Sequence, residues 1–213
     1  TVLDVTSASA AAGTNVQTYT FNQSTAQKWT LLETEKTLYS IMGKTNVSVS
    51  QMVKFYKNKA TVSYPYSNVS EAPTIEKFCQ IYKEESEVEG VKAEVAFAQA
   101  MMETGFLKFG GDVKKDQYNF AGIGAIGGGS SGAKFDSIRI GIRAHVQHLK
   151  AYASKEALKQ PVVDPRFQYV KRGSAEYVQW LGQKENPNGY GWATAKNYGN
   201  NIVKLYILPM KKY

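Results

Sequence analysis

Glu103 is the residue of this chain best placed for general acid catalysis. It follows a run, residues 91–102, that is apolar on most sides, and such a run is typical of a buried helix. A buried carboxyl without a basic partner resists ionisation, so we expect its pKa to be raised, as a general acid requires near neutral pH. Gly105 predicts the end of the helix, because glycine readily adopts the left-handed conformation that closes one. We therefore expect the carboxyl on the last turn, at the edge of a cleft.

Cysteine and histidine chemistry is less strongly indicated. Cys79 lies on the apolar stripe of a predicted helix, and we interpret it as a buried small hydrophobic residue. His145 and His148 are three residues apart and lack the third ligand that a zinc site usually needs. We interpret both as packing or hydrogen-bonding residues, and we expect no metal and no cofactor.

Six glycines fall between Gly122 and Gly132. The segment lacks the Lys-Ser/Thr ending of a phosphate-binding loop, and no clear strand precedes it. Two interpretations stay open: a flexible rim of an active site, or a disordered excursion.

The elements that must position these residues are mainly helical. Apolar periodicity predicts a series of helices, over residues 26–42, 48–56, 73–89, 91–104, 140–152, 175–181 and 194–208. Residues 1–25 are interpreted as an extended lead-in, and the segment 61–67 as an extended connection that marks the domain boundary.

Composition restricts the class of protein. With 213 residues and 43% hydrophobic content the chain can form one large domain or two small ones. No apolar run approaches the roughly 18 residues of a membrane span. The start has no features of a signal peptide, so either such a peptide was removed or the chain is a fragment of a longer protein, and we favour a fragment. The net charge of +8 is spread along the chain, which suits a polyanionic surrounding such as a cell wall. The sequence shows no cluster of basic and aromatic residues of the kind that binds nucleic acid.

Several segments together resemble a known family. They are residues 99–107, residues 119–123, and residues 191–194 with Tyr198. In order and spacing they resemble the bacterial glucosaminidase domain of glycoside hydrolase family 73, over about residues 66–213. Residues 141–152 are similar to the branch found in clostridial autolysins.

The resemblance implies a mainly α, α+β lysozyme-like fold, with a helical lobe and a small flexible β-hairpin lobe flanking a cleft. Residues 66–213 would form the catalytic domain and residues 1–65 a helical N-terminal extension. The implied activity is that of an autolysin, an endo-β-N-acetylglucosaminidase that cleaves the β-1,4 bond after N-acetylglucosamine in peptidoglycan. The implied protein is a monomer secreted to a Gram-positive cell wall, where it contacts glycan strands and anionic polymers. Neither nucleic-acid binding nor membrane insertion is expected.

The resemblance also implies the site residues. Glu103 matches the general acid and Tyr198 an active-site tyrosine. Several family members have a second glutamate near residues 135–140, where Asp136 is the only acid here. Glycosidases usually use two carboxylates, but the 2-acetamido group of the substrate can replace one as the nucleophile. The expected substrate-binding residues are Gln99, Asn119, Phe120, Gly122 and Trp192.

Other interpretations remain at this stage. Asp136 could cap the following helix, and Trp192, Tyr198 and Asn119 could serve packing or turns. A lytic transglycosylase shares the lysozyme-like fold and needs one catalytic glutamate. A non-catalytic wall-binding module would suit the charge and the aromatic residues, but it has no use for an acid on a buried helix.

Overall fold

A computed structural model of the chain describes residues 1–9, 11, 14–28, 38–125 and 132–213. The chain divides into two compact units, residues 1–37 and residues 38–213. Most of the helix predicted over residues 26–42 lies outside the described residues.

The first unit contains a small antiparallel sheet. Strand β1 (Val2–Val5) pairs with strand β2 (Val16–Tyr19), with Val2 opposite Tyr19. The side chain of Gln27, at the end of the 3-10 segment Thr25–Gln27, donates to Asp4 Oδ2 at 3.0 Å and so links this segment to the sheet. Residues 2–5 and 16–19 are therefore strands, which agrees with the extended lead-in expected for residues 1–25 and not with a helical extension. β-branched valines, which favour strands, occupy both ends of β1 and the start of β2.

The second unit is helical. Its helices are α1 (Val49–Lys59), α2 (Ile75–Glu89), α3 (Ala93–Thr104), α4 (Ile138–Ala153), α5 (Tyr198–Asn201) and α6 (Leu208–Met210), with a π-helical turn, Ile202–Ile207, between the last two. Three short 3-10 segments are Lys115–Gln117, Phe167–Tyr169 and Val178–Leu181. The prediction of a mainly helical fold with a small β component is confirmed.

The β component is not where the resemblance implied. Among the described residues of the second unit no strand forms, and the predicted β-hairpin lobe falls partly on residues 126–131, outside the described part. The described flanks of that segment are joined by the Ala133 amide, which donates to the Ile123 carbonyl at 2.8 Å.

Residues 38–65 pack with the helices that follow them. In α1, Phe55 is fully buried, and its ring lies 5.5 Å from that of Phe106 and 6.2 Å from that of Tyr206. The structural division therefore falls at residue 37/38 and not at the predicted boundary after residue 65, because α1 contributes to the same hydrophobic core.

Helix ends agree with capping chemistry. Thr74 accepts from the amide of Lys77 at the start of α2, and Gly90 closes that helix with φ of 73°. Ser137 caps α4 by accepting from the amide of Ile140. The interpretation of Asp136 as this cap is therefore wrong by one residue.

Buried ion pairs fix α2 against α4. Arg139 and Arg143 both bind Glu85, at 2.7 and 2.8 Å, and Lys150 binds Glu89 at 2.9 Å. Both side chains of the Lys150–Glu89 pair are 0% exposed.

Among the described residues, no helix combines the length and the apolar character needed to cross a bilayer.

Candidate active site

Glu103 lies on the last turn of α3, at a groove. The groove is lined by Glu103, Thr104, Gly105, Phe109, Gly111, Asp112, Val113, Asn119, Gly122 and Ala125. Glu103 itself is exposed, so the expectation of a buried acid is wrong, although the helix behind it is buried. The groove walls nevertheless displace enough water from the carboxyl to raise its pKa. The group is thus accessible to a substrate and keeps its proton to a higher pH than an ordinary glutamate.

The chain reverses sharply after Glu103. Gly105 closes α3 with φ of 57°, and Phe106, Leu107 and Phe109 also have positive φ. The hydroxyl of Thr104 stabilises this turn by accepting from the amide of Leu107 at 3.0 Å. The reversal brings the loop that contains Asp112 to the groove.

Tyr198 contacts Glu103 although it lies 95 residues later in the chain. Its hydroxyl donates a hydrogen bond to Glu103 Oε1. Burial, and then the nearby Glu103 carboxylate, raise the pKa of Tyr198 far above its ordinary value, so the hydroxyl keeps its hydrogen. This donor lowers the pKa of Glu103 and so opposes part of the effect of the groove walls.

Gln99 lies behind Tyr198 and not on the groove surface. It is fully buried, and its Nε2 donates to the hydroxyl of Tyr198 at 2.8 Å. Its Oε1 lies 2.9 Å from Nε2 of His145, whose Nδ1 lies 3.2 Å from the hydroxyl of Tyr82. The structure thus gives Gln99 a contact with the site tyrosine in place of the predicted contact with substrate.

Asn119 lines the groove but uses its side chain on the protein. Its amide donates to the carbonyls of Ile123 and Ala133, at 2.9 and 3.1 Å, and its carbonyl oxygen accepts from the Ile123 amide at 2.9 Å. It therefore holds together the two described flanks of the glycine-rich segment. Phe120 is fully buried, with its ring 5.1 Å from that of Phe78, so it packs in the core and not against a ligand.

Trp192 lines a second pocket that adjoins the Glu103 groove. The two share Gly122 and Ala125, and the second pocket is also lined by Ile123, Gly124, His148, Tyr152, Arg166, Tyr169, Val170 and Trp192. The Trp192 ring lies 4.6 Å from that of His148, which pairs with Asp164 at 2.7 Å. Arg166 lies over the ring of Tyr169 at 4.5 Å. The two pockets therefore adjoin, one lined by the acid and the other by aromatic side chains and Arg166.

Asp136 is not part of this groove as described. It is exposed and lines a separate pocket with Lys134, Phe135, Ile140, Val163 and Pro165. The acid that does share the groove with Glu103 is Asp112, which sequence reasoning missed. The sequence feature that could have indicated Asp112 is its position directly after Gly110 and Gly111, in the first loop after helix α3.

The two histidines form hydrogen bonds within the protein, and Cys79 is buried. His145 is bound to Gln99 and Tyr82, and His148 to Asp164, while Cys79 is buried and free. Across the described part of the chain, no three His, Cys, Asp or Glu side chains come together as a metal site.

An accessible carboxyl with a raised pKa, held by a tyrosine in a groove of a helical protein, is suited to general acid catalysis on a glycosidic bond. The chain belongs to the glucosaminidase family: the model described as mannosyl-glycoprotein endo-beta-N-acetylglucosaminidase matches residues 79–207. The match includes Glu103, Asp112 and Tyr198 and confirms the resemblance found in the sequence.

One relative is an uncharacterized protein of Borreliella burgdorferi (strain ATCC 35210 / DSM 4680 / CIP 102532 / B31). It is 46% identical over 132 residues, which are 62% of this chain and 61% of the relative. The chain thus spans about three fifths of the length of this relative. No solved structure gives a significant match.

Proposed function

We propose that the protein hydrolyses peptidoglycan as an endo-β-N-acetylglucosaminidase, cutting the β-1,4 bond after N-acetylglucosamine, with Glu103 as the general acid. The observation that carries this proposal is Glu103 itself, an exposed groove carboxyl whose pKa is raised by the surrounding protein and which Tyr198 holds in place. Membership of the glucosaminidase family supports the choice of bond.

The chemistry we propose is substrate-assisted. Glu103 donates its proton to the leaving glycosidic oxygen while the C1–O bond breaks and the acetamido oxygen of the N-acetylglucosamine unit bonds to C1. Water then attacks C1, the C1–acetamido bond breaks, and the proton of that water returns to the Glu103 carboxylate. The position of Asp136 in a separate pocket favours this route over a nucleophilic Asp136.

The surroundings of the groove fit a wall glycan. Sugar rings stack on aromatic side chains such as Trp192 and Tyr169, and Arg166 offers a cation to the carboxylates of wall peptides or muramic acid. The net charge of +8 favours anionic wall polymers. We extend the proposal to a monomer that works as a secreted autolysin at the cell wall.

The test is an analysis of the sugar ends released from purified peptidoglycan. The wild type is expected to release glycan fragments that have N-acetylglucosamine at a free reducing end, and Glu103→Gln to lose about 100-fold or more in rate while still binding the wall. Glu76→Gln is the matched control, since Glu76 is an exposed acid that pairs with Lys57.

Two outcomes would replace the proposal. Products ending in 1,6-anhydromuramic acid would identify a lytic transglycosylase. A wild type that binds the wall but releases no ends, with Glu103→Gln indistinguishable from it, would identify a binding module.

A further inference from the structure

We propose that Tyr82 and His145, which do not line the groove, are positioning residues that hold Tyr198 as a donor to Glu103 Oε1 and so confine the acid proton of Glu103 to Oε2. The inference rests on the proposed role of Glu103 as an acid.

Five side chains form one continuous hydrogen-bonded chain. Its members, in order, are Tyr82, His145, Gln99, Tyr198 and Glu103. They come from α2, α4, α3, α5 and again α3. Tyr82, His145 and Gln99 are 0% exposed, so water does not compete for their polar atoms. In such a buried series each hydrogen bond needs one donor and one acceptor, so fixing the donor at one end fixes which group donates in every later hydrogen bond. We call this order of donors the direction of the series.

Tyr82 sets that direction. Its hydroxyl carries a hydrogen that must find an acceptor in the core, and within the described part of the chain its partner is Nδ1 of His145, at 3.2 Å. If Nδ1 carried a hydrogen too, the Tyr82 oxygen would have to accept it, and the hydrogen of the Tyr82 hydroxyl would be left without an acceptor. Nδ1 is therefore the acceptor, and the single hydrogen of the neutral ring lies on Nε2.

The ring is neutral because of where it lies. Burial, with a smaller contribution from His148, lowers the pKa of His145 to about 3. Among the described residues, the groups that contact the ring are Tyr82, Gln99 and Trp192, none of them charged, and His148 is itself paired with Asp164.

The donor and acceptor roles at His145 determine the roles in the remaining hydrogen bonds, up to Glu103. The Nε2 hydrogen of His145 fixes Gln99 Oε1 as an acceptor, which turns Gln99 Nε2 towards the oxygen of Tyr198. Among the described residues, the acceptor left for the hydrogen of Tyr198 is Glu103 Oε1. Because Oε1 accepts, a protonated Glu103 carries its hydrogen on Oε2.

The opposite direction would impair the acid. Tyr198 would donate to Gln99 Oε1, and the proton of Glu103 would lie on Oε1, bound to the oxygen of Tyr198. That hydrogen bond would stabilise the protonated form and withhold the proton from a leaving group. The direction set at Tyr82 thus decides whether Tyr198 assists ionisation or opposes it.

The first test needs no substrate. In ¹⁵N NMR spectra of the wild type, His145 is expected as the neutral Nε2–H tautomer, with Nδ1 as an acceptor, from about pH 5 to 9. An Nδ1–H tautomer, or a ring that titrates in this range, would overturn the inference. The result stands whether or not the protein cuts peptidoglycan, so it separates this inference from the proposed function.

The second test is kinetic. Tyr82→Phe and His145→Leu are expected to lower kcat, about tenfold in the latter, without changing KM. Because Glu103 loses a directed donor, its pKa rises, and the alkaline limb of the pH–rate profile moves to higher pH. Among the described residues, the titratable groups that interact with Glu103 are Tyr198 and Tyr206, and Asp112 lines the same groove.

Three variants keep the result interpretable. Tyr56→Phe is the matched control, because Tyr56 is a buried tyrosine whose hydroxyl forms no hydrogen bond with the described residues. His145→Gln places an amide donor near the position of Nε2 and is expected to restore part of kcat. If His145→Leu does not fold, Tyr82→Phe, which removes one oxygen atom, carries the test. Folded variants with wild-type kcat and an unmoved alkaline limb would refute the positioning role.

Discussion

Asp112 and Glu103 line one groove, although Asp112 lies in a loop and Glu103 on a helix. The left-handed turn after α3 folds the chain back and makes this possible. Asp136, the acid that the resemblance favoured, lines another pocket. The second carboxylate of the groove is therefore found nine residues after the first.

We expect Asp112→Asn to lower kcat about tenfold, since a carboxylate in the groove stabilises positive charge that develops at C1. Asp136→Asn should leave kcat within about twofold of the wild type. Both rates can be measured as release of reducing ends from purified peptidoglycan. A loss in Asp136→Asn as complete as that in Glu103→Gln would remove the basis for substrate assistance.

Tyr198→Phe should lower kcat by about 10- to 100-fold, because a hydrogen bond to a charged group is lost. The same change raises the pKa of Glu103, so the alkaline limb of the pH–rate profile should move upwards. Circular dichroism should show an unchanged fold. An unchanged profile would show that the hydroxyl serves packing alone.

Glu103→Gln should affect stability in a pH-dependent way. The folded pKa of Glu103 lies above its unfolded value, so between the two values the folded protein holds more protons, and stability falls as the pH rises through that window. Above the window the Gln variant should therefore have the higher unfolding midpoint, and below it the two should agree.

Glu76→Gln provides a control of opposite sign for this stability measurement. Its hydrogen bond with Lys57 lowers the pKa of Glu76, so neutralising that group should remove a small stabilisation above the unfolded pKa. Equal changes in the midpoints of both variants would contradict the role assigned to the groove walls.

Lys150→Met should destabilise the protein by about 3–5 kcal/mol, because it leaves Glu89 buried without its cation. Glu89 also accepts from the amides of Lys159 and Gln160, at 3.0 and 3.1 Å. Adding Glu89→Gln should recover part of the loss in urea denaturation. Lys57→Met, at the exposed pair with Glu76, should cost no more than about 1 kcal/mol.

Local patterns predicted the helices that carry the site. The apolar run before Glu103 and the glycine at 105 define α3 and its end, because helix propensity and C-capping depend on neighbouring residues. Tyr198 was found through resemblance, which carries three-dimensional information that one sequence does not show.

The remaining features depend on tertiary structure. Asp112 enters the groove only because consecutive left-handed residues reverse the chain, and bulky residues such as Phe106 give no sequence signal for that conformation. The link from Tyr82 to His145 joins residues 63 positions apart on two helices. The exposure of Glu103 likewise depends on where the groove opens.

The separation of Glu103 and Tyr198 along the chain has a consequence for biosynthesis. The two residues are 95 positions apart, and a ribosome adds about 5–20 residues per second, so Tyr198 follows Glu103 by about 5–20 s. During translation the nascent chain therefore contains the acid without its tyrosine. The pairing that tunes this carboxyl can form only after nearly the whole second unit has been synthesised.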